Sequence, residues 1–349
     1  WVQTLADVAT AIAAANGVAA PAADSTGMAT EAAQANADAL LSGQQKAILL
    51  GNAAAEHPQA ASLLSLANWI AAQTGASVGY LTAAANTVGA QLVNALPQQG
   101  GLNAGQMLSD AAGLKGLLLL NTDPVLDSAN AAAAAKALAA AEMVVVMSPF
   151  KTGLEYADVL LPTAPFTETS GTFVNAEGRA QSFVGVVKAL GETRPGWKIL
   201  RVLGNLLALD GFAQDSSEQV RGEALGVDLS AQLSNAGAAA IQTGTPSTIE
   251  RLADLPIYAS DVLVRHATSL QLSNDAKQAA VASLSAALWA QLGLSEGGSV
   301  RITQDGAGAV QMPAKLDPKL PANVLRVPSG LTETAALGSI FGGLNVSKV

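Results

Sequence analysis

The stretch Tyr156 to Phe183 reads YADVLLPTAPFTETSGTFVNAEGRAQSF and gathers carboxylate, amide, hydroxyl and guanidinium side chains into one short run. Asp158, Glu168, Asn175 and Arg179 are its candidates for holding a polar ligand. Arg179 lies close to Glu177 and, if the chain folds back, to Glu168; a planar guanidinium fork suits a carboxylate or a hairpin carbonyl. The pattern fits two arrangements. One is a polar clasp that fixes a hairpin on a sheet, and the other is a pocket lined by these four residues, since charge pairs serve architecture as well as ligands. None of the four is assigned a catalytic role.

The elements that must position them follow from local chemistry. Asp158-Val159-Leu160-Leu161-Pro162 reads as a strand that stops at a proline, which cannot continue a central ladder. Thr172–Asn175 and Arg179–Phe183 alternate on either side of Ala176-Glu177-Gly178, and Gly178 can take the left-handed conformation that a tight hairpin loop needs. Upstream, from Gln45, short apolar runs alternate with helical segments: KAILLG, ASLLSLANWIAAQTG, SVGYL, TVGAQLVNAL, GLLLLN, SANAAAAAKALAAA and EMVVVM. Apolar strands separated by helices predict an α/β fold with a doubly wound, mostly parallel sheet covered on both faces. Ligands of such sheets bind at the carboxyl ends of the strands. The loops there are Gly51-Asn52, Asn121-Thr122-Asp123-Pro124 and Ser148-Pro149-Phe150, whose residue types also serve as ordinary caps and turns.

Past Leu209 the pattern loosens, and residues 226–248, which include LSNAGAAAIQTGTPST, read as a linker between an α/β domain at 1–225 and a smaller domain at 249–349. In that last part Gly297-Gly298, Asp305-Gly306 and Pro328 punctuate short alternating segments such as Val300–Thr303, which predicts a small antiparallel, barrel-like β structure.

Composition narrows the chemistry. Half of the 349 residues are hydrophobic and 4% are aromatic, so the core must be built from Ala, Leu and Val in closely approaching elements. A net charge of −9 and a pI near 4.7 disfavour nucleic acid, which is bound through clustered Lys and Arg. The absence of Cys excludes disulfides, thiolate zinc sites and Cys-ligated iron–sulfur clusters within this chain. The apolar tracts fall short of the roughly 20 residues of a membrane helix, so no direct membrane insertion is expected. No glycine fingerprint for NAD, no Walker sequence and no His-Glu-x-x-His occurs, and His57 and His266 read as ordinary polar residues. The chain opens at Trp1 without a methionine, which reads as a piece of a longer protein.

ADVLLPTAPFTETSGTFVNAEGRAQ resembles the signature Ala-Asp-Val-x-Leu-Pro, then Glu-x-x-Gly-Thr-x-x-Asn-x-Glu-Gly-Arg-x-Gln, of the molybdopterin oxidoreductase superfamily, which includes formate dehydrogenases and nitrate reductases. AANTVGAQLVNALP from Ala84 and YASDVLVRHATSLQ from Tyr258 are similar to the large peripheral-arm, iron–sulfur subunits of bacterial NADH:quinone oxidoreductase, respiratory complex I.

The resemblance spans about Gln45 to Gly330 and implies a shortened C-terminal barrel. It further implies that 2Fe-2S and 4Fe-4S clusters belong to a preceding part of the full-length subunit, which passes electrons from NADH toward quinone. This chain would then be a scaffold with no cofactor or metal of its own. Partners would be the other peripheral-arm subunits, on the cytoplasmic side of the inner membrane. Asn121, Asp123, Asp158, Glu168, Asn175 and Arg179 would line the remnant of a nucleotide groove. The alternative is a fragment of an active molybdenum or tungsten bis-pterin oxidoreductase such as a formate dehydrogenase, with the strand-end loops gripping the pterin dinucleotide.

Overall fold

The computed structural model describes residues 1–21, 30–109, 113–226, 229–243 and 248–349. Its strands, in chain order, are β1 (Ala47–Leu50), β2 (Ser77–Tyr80), β3 (Gly116–Leu120), β4 (Met143–Ser148), β5 (Val159–Pro162), β6 (Gly171–Val174) and β7 (Ala180–Phe183). Then follow β8 (Glu250–Leu252), β9 (Ala282–Leu284), β10 (Ser299–Thr303), β11 (Ala309–Leu316), β12 (Val324–Arg326) and β13 (Asn345–Lys348).

The chain forms two units, but neither is a continuous segment. One comprises Trp1–Ala95, Thr172–Ser182 and Arg221–Thr245, the other Leu96–Gly171, Phe183–Val220 and Pro246–Val349. This differs from the linear division at 225 and 249. The parallel strands come as expected but in two separate sheets, β1-β2 in the first unit and β3-β4-β5 in the second.

In the first unit the alanine-rich sequence does what its composition demands. The helices Val2–Asn16 and Ala60–Thr74 pack with Ile12, Leu66, Ala67 and Ile70 fully buried, because small side chains let their axes approach. Burying each Leu or Ile here contributes about 1.5–3 kcal/mol. Both helices end where glycine takes the left-handed conformation, Gly17 at φ 67° and Gly75 at φ 72°, and those left-handed caps close the helix carbonyls. Of the expected linker, residues 227–228 and 244–247 lie outside the described residues. The part between Asn235 and Gln242 is no free tether: the Asn235 amide donates to the Val78 carbonyl at 3.1 Å, and the Gln242 N–H donates to Ser62 Oγ at 3.1 Å.

In the second unit β4 is the central strand of three, with Val144, Val146 and Met147 buried. Its Val-rich run reads as continuous apolar sequence because both of its faces are covered. The C-terminal sheet has the order β13-β10-β11-β9-β12-β8. It is mixed rather than purely antiparallel: β9 pairs parallel with β11, and β8 parallel with β12. Its two ends meet, since Leu344 donates to the Ile249 carbonyl at 2.9 Å and Arg251 to the Gly342 carbonyl at 3.0 Å, so the sheet curls on itself and leaves little free edge. Leu284, Val300, Ile302, Met312 and Leu325 fill it.

Candidate functional site

The carboxyl ends of β3, β4 and β5 bring together residues far apart in sequence. Asn121 follows β3 directly and holds φ 50°, a left-handed conformation that asparagine tolerates better than most residues. Its Oδ1 accepts from Thr163 Oγ1 at 3.2 Å, and Thr163, just past β5, is fully buried. Next, Asp123 caps the short helix Pro124–Asp127, accepting from the Val125 N–H at 3.1 Å and the Leu126 N–H at 3.4 Å. At the end of β4, Ser148 Oγ accepts the Phe150 N–H at 3.1 Å.

One cation closes over this edge. The Arg265 guanidinium pairs with the Asp127 carboxylate and lies 4.0 Å from that of Asp123. Its side chain is 12% exposed, so the pairs are stronger than surface ion pairs. Beside it, the His266 ring stacks on Phe150, centroids 4.4 Å apart and planes 16° apart. Burial raises the Asp123 pKa above its ordinary value, outweighing its two backbone hydrogen bonds and Arg265, which act in the opposite sense. The Tyr156 phenol is likewise pushed well above its ordinary range, first by burial and then by the charges of Asp123, Glu155 and Asp127. From Leu126 and Arg265 a cleft of about 1390 Å³ runs past Tyr258 and Gln271 to Trp289, on the helix Ala286–Gln291, and Arg326 of β12.

Within the second unit, Asn121, Asp123, Asp158 and Glu168 do not form one cluster. Asn121 and Asp123 sit together at the loop edge. Asp158 stands at the other end of the sheet, where it precedes β5 and its Oδ2 accepts the Val144 N–H at 2.7 Å. It therefore staples the amino ends of β4 and β5, and the expectation that it lines a groove with Asn121 is corrected. Glu168 accepts the Leu190 N–H at 3.0 Å and borders a separate pocket of about 390 Å³ with Trp197 and Ser217. Asn175 and Arg179 belong to the other unit, in the β6–β7 hairpin. There the Asn175 side chain accepts the Glu177 and Arg179 N–H groups at 3.1 and 2.9 Å, so its amide builds the turn that Gly178, at φ 81°, completes. The Arg179 guanidinium is exposed and lies 4.0 Å from Glu177.

Sequence reasoning passed over Thr163, Asp127 and Arg265 and gave His266 no structural role. Arg265 and Asp127 are 138 positions apart, and no local spacing announces the pair. Among the described residues no helix is long and apolar enough to cross a membrane, and no group of His, Cys, Asp and Glu could hold a metal ion.

Residues 8–206, more than half of the chain, match the sequence model of the molybdopterin oxidoreductase family, and the chain belongs to that family. A putative formate dehydrogenase of Staphylococcus aureus (strain MRSA252) is 43% identical over 63 residues, 18% of this chain and 6% of that protein. A nitrate reductase of Shewanella frigidimarina (strain NCIMB 400) is 31% identical over 135 residues, 38% of this chain and 14% of that protein. The matched segments therefore span 6–14% of the length of these two curated relatives. Among solved structures, acetylene hydratase from Pelobacter acetylenicus superposes with a TM-score of 0.49 at 15% identity, over 70% of this chain and 46% of that one.

The loop edge matches the nucleoside end of a pterin dinucleotide in the kind of groups it offers. The Asn121 amide and the Thr122, Ser148 and Thr163 hydroxyls donate and accept, and Asp123 accepts. Lys151 follows Phe150 and is exposed.

Proposed function

We propose that this chain is framework of a bis-pterin molybdenum or tungsten oxidoreductase; its curated relatives are named formate dehydrogenase and nitrate reductase. In this reading the loop edge of β3–β5 receives the nucleoside end of the pterin dinucleotide. The observation that carries it is the convergence of Asn121, Asp123, Ser148 and Thr163 on one sheet edge in a chain of the molybdopterin oxidoreductase family. The bound group supplies the redox chemistry. The chain's residues bind and orient: Asn121, held by Thr163, and Asp123, held by its helix, are fixed before any ligand arrives, which lowers the entropy lost on binding.

A second reading is favoured by a different observation, namely that Arg265 and His266 already engage Asp123, Asp127 and Phe150 at the same edge. On that reading the chain is a scaffold in the peripheral arm of respiratory complex I. It would be assembled with the other arm subunits, and iron–sulfur clusters elsewhere in the full-length subunit would carry the electrons. The names of the relatives support the first reading over the second.

Acid oxidation of the full-length protein followed by pterin fluorescence, with elemental analysis, separates the two. Stoichiometric pterin with molybdenum or tungsten supports the enzyme, and absence of both supports the scaffold.

A further inference from the structure

We infer that the helix Val262–His266 is a cover, carried by the chain itself, that must lift from the β3–β4 loop edge before a nucleotide can bind there. The inference rests on the assignment of that edge to a nucleotide. Two successive residues make the ion-pair and ring contacts: Arg265 holds Asp127 and approaches Asp123, and His266 lies flat on Phe150 at 4.4 Å, while Val262 on the same helix is buried. These are the loops after β3 and after β4. The Arg265 guanidinium already lies 4.0 Å from the Asp123 carboxylate that a ligand would use.

The cover is held together by bonds of its own. Asp261 caps the helix, accepting from Leu263 N–H at 2.8 Å and Val264 N–H at 3.0 Å. Gln271 donates to the carbonyls of Tyr258 and Val264 at 2.9 and 2.8 Å, His266 Nδ1 lies 2.8 Å from the Val262 carbonyl, and Arg265 Nε donates to Ala259 at 3.1 Å. These bonds survive if the Arg265–Asp127 pair and the ring stack are broken, so the segment 257–271 has the makings of a rigid flap rather than a stretch that must unfold. The contact that lifting breaks includes a pair of largely buried charges, and a ligand must repay it through differential affinity for the open form.

The test uses the full chain with guanosine and cytidine monophosphate as probes of the nucleoside end, with affinities measured by calorimetry. Arg265→Ala is expected to bind at least one of them 10-fold or more tightly than the unaltered chain, and Arg265→Lys, which keeps the charge but loses the fork, to fall between. Equal affinities in all three proteins, no binding in any of them, or weaker binding in Arg265→Ala would each overturn the cover. Should Arg265→Ala fail to fold, hydrogen exchange of the unaltered chain decides: saturating nucleotide is expected to raise amide exchange across 257–267, and unchanged or lowered exchange overturns the inference. Failure of the pterin reading is seen separately, in the pterin content of the full-length protein.

Discussion

Thr163 donates its hydroxyl proton to the side-chain oxygen of Asn121 at 3.2 Å, a bond that joins the ends of β3 and β5 across the intervening β4. Asn121 also sits at φ 50°, where a Cβ crowds the following carbonyl. Asn121→Ala therefore loses the bond, about 1 kcal/mol, and strains the left-handed backbone by about another 1 kcal/mol. Asn121→Gly loses only the bond. Urea unfolding should place Asn121→Ala about 2 kcal/mol below the unaltered chain and Asn121→Gly near half that loss; equal stability of the unaltered chain and Asn121→Ala would contradict the geometry.

Asp123 gives a pH dependence whose sign is fixed by burial. Its folded pKa is raised above 3.8, so the folded state favours the protonated acid. The stability this contributes is complete below the unfolded value and is lost as pH rises through the folded one. Asparagine keeps the cap and carries no charge. Asp123→Asn is expected to be more stable than the unaltered chain at pH 7, and the difference to close as pH falls toward 3.8. Thermal melts across that range check it, and a difference independent of pH would contradict the account.

Arg251 is a buried cation in the C-terminal barrel. It donates to the Ser339 carbonyl at 2.9 Å and to the Pro328 carbonyl at 3.2 Å, and burial lowers its pKa to about 10. Burial thus makes the charge costlier to hold, though it stays protonated at neutral pH, and its donors tie down the turn where the sheet closes. Arg251→Ala leaves those carbonyls short of a donor and opens a void, with an expected loss of about 2–4 kcal/mol. A loss under about 0.5 kcal/mol, the level of a surface change, would show that the closure does not depend on it.

Asp158 separates architecture from binding. Its carboxylate accepts the Val144 N–H at 2.7 Å at the edge of the sheet opposite Asn121. Asp158→Ala is expected to destabilise by about 1 kcal/mol and to leave the pterin content of the full-length protein unchanged. A fall in pterin content at unchanged fold would return Asp158 to the binding edge.

The hairpin was legible because each of its parts is local. Asn175 builds the turn, Gly178 supplies the positive φ, and the alternation of the flanking residues gives two strands. The β3, β4 and β5 strands were legible as apolar runs bounded by loop residues. What escaped depended on distance. Nothing in LLNTDPVLD says that Asp127 will meet an arginine 138 positions later. Asp158 was misplaced for a simpler reason: a strand has two ends, and a residue before it faces the edge opposite the loops that follow it. The helix Val2–Asn16 falls before the alternating pattern begins, and its core role emerges only when Ala60–Thr74 packs on it.

Pterin and metal content of the full-length protein test the central claim most directly. The account predicts a strong pterin fluorescence after acid oxidation together with stoichiometric molybdenum or tungsten, both reduced in an Asn121→Ala variant that remains folded. Neither pterin nor metal in the intact protein would contradict it and leave the scaffold reading in its place.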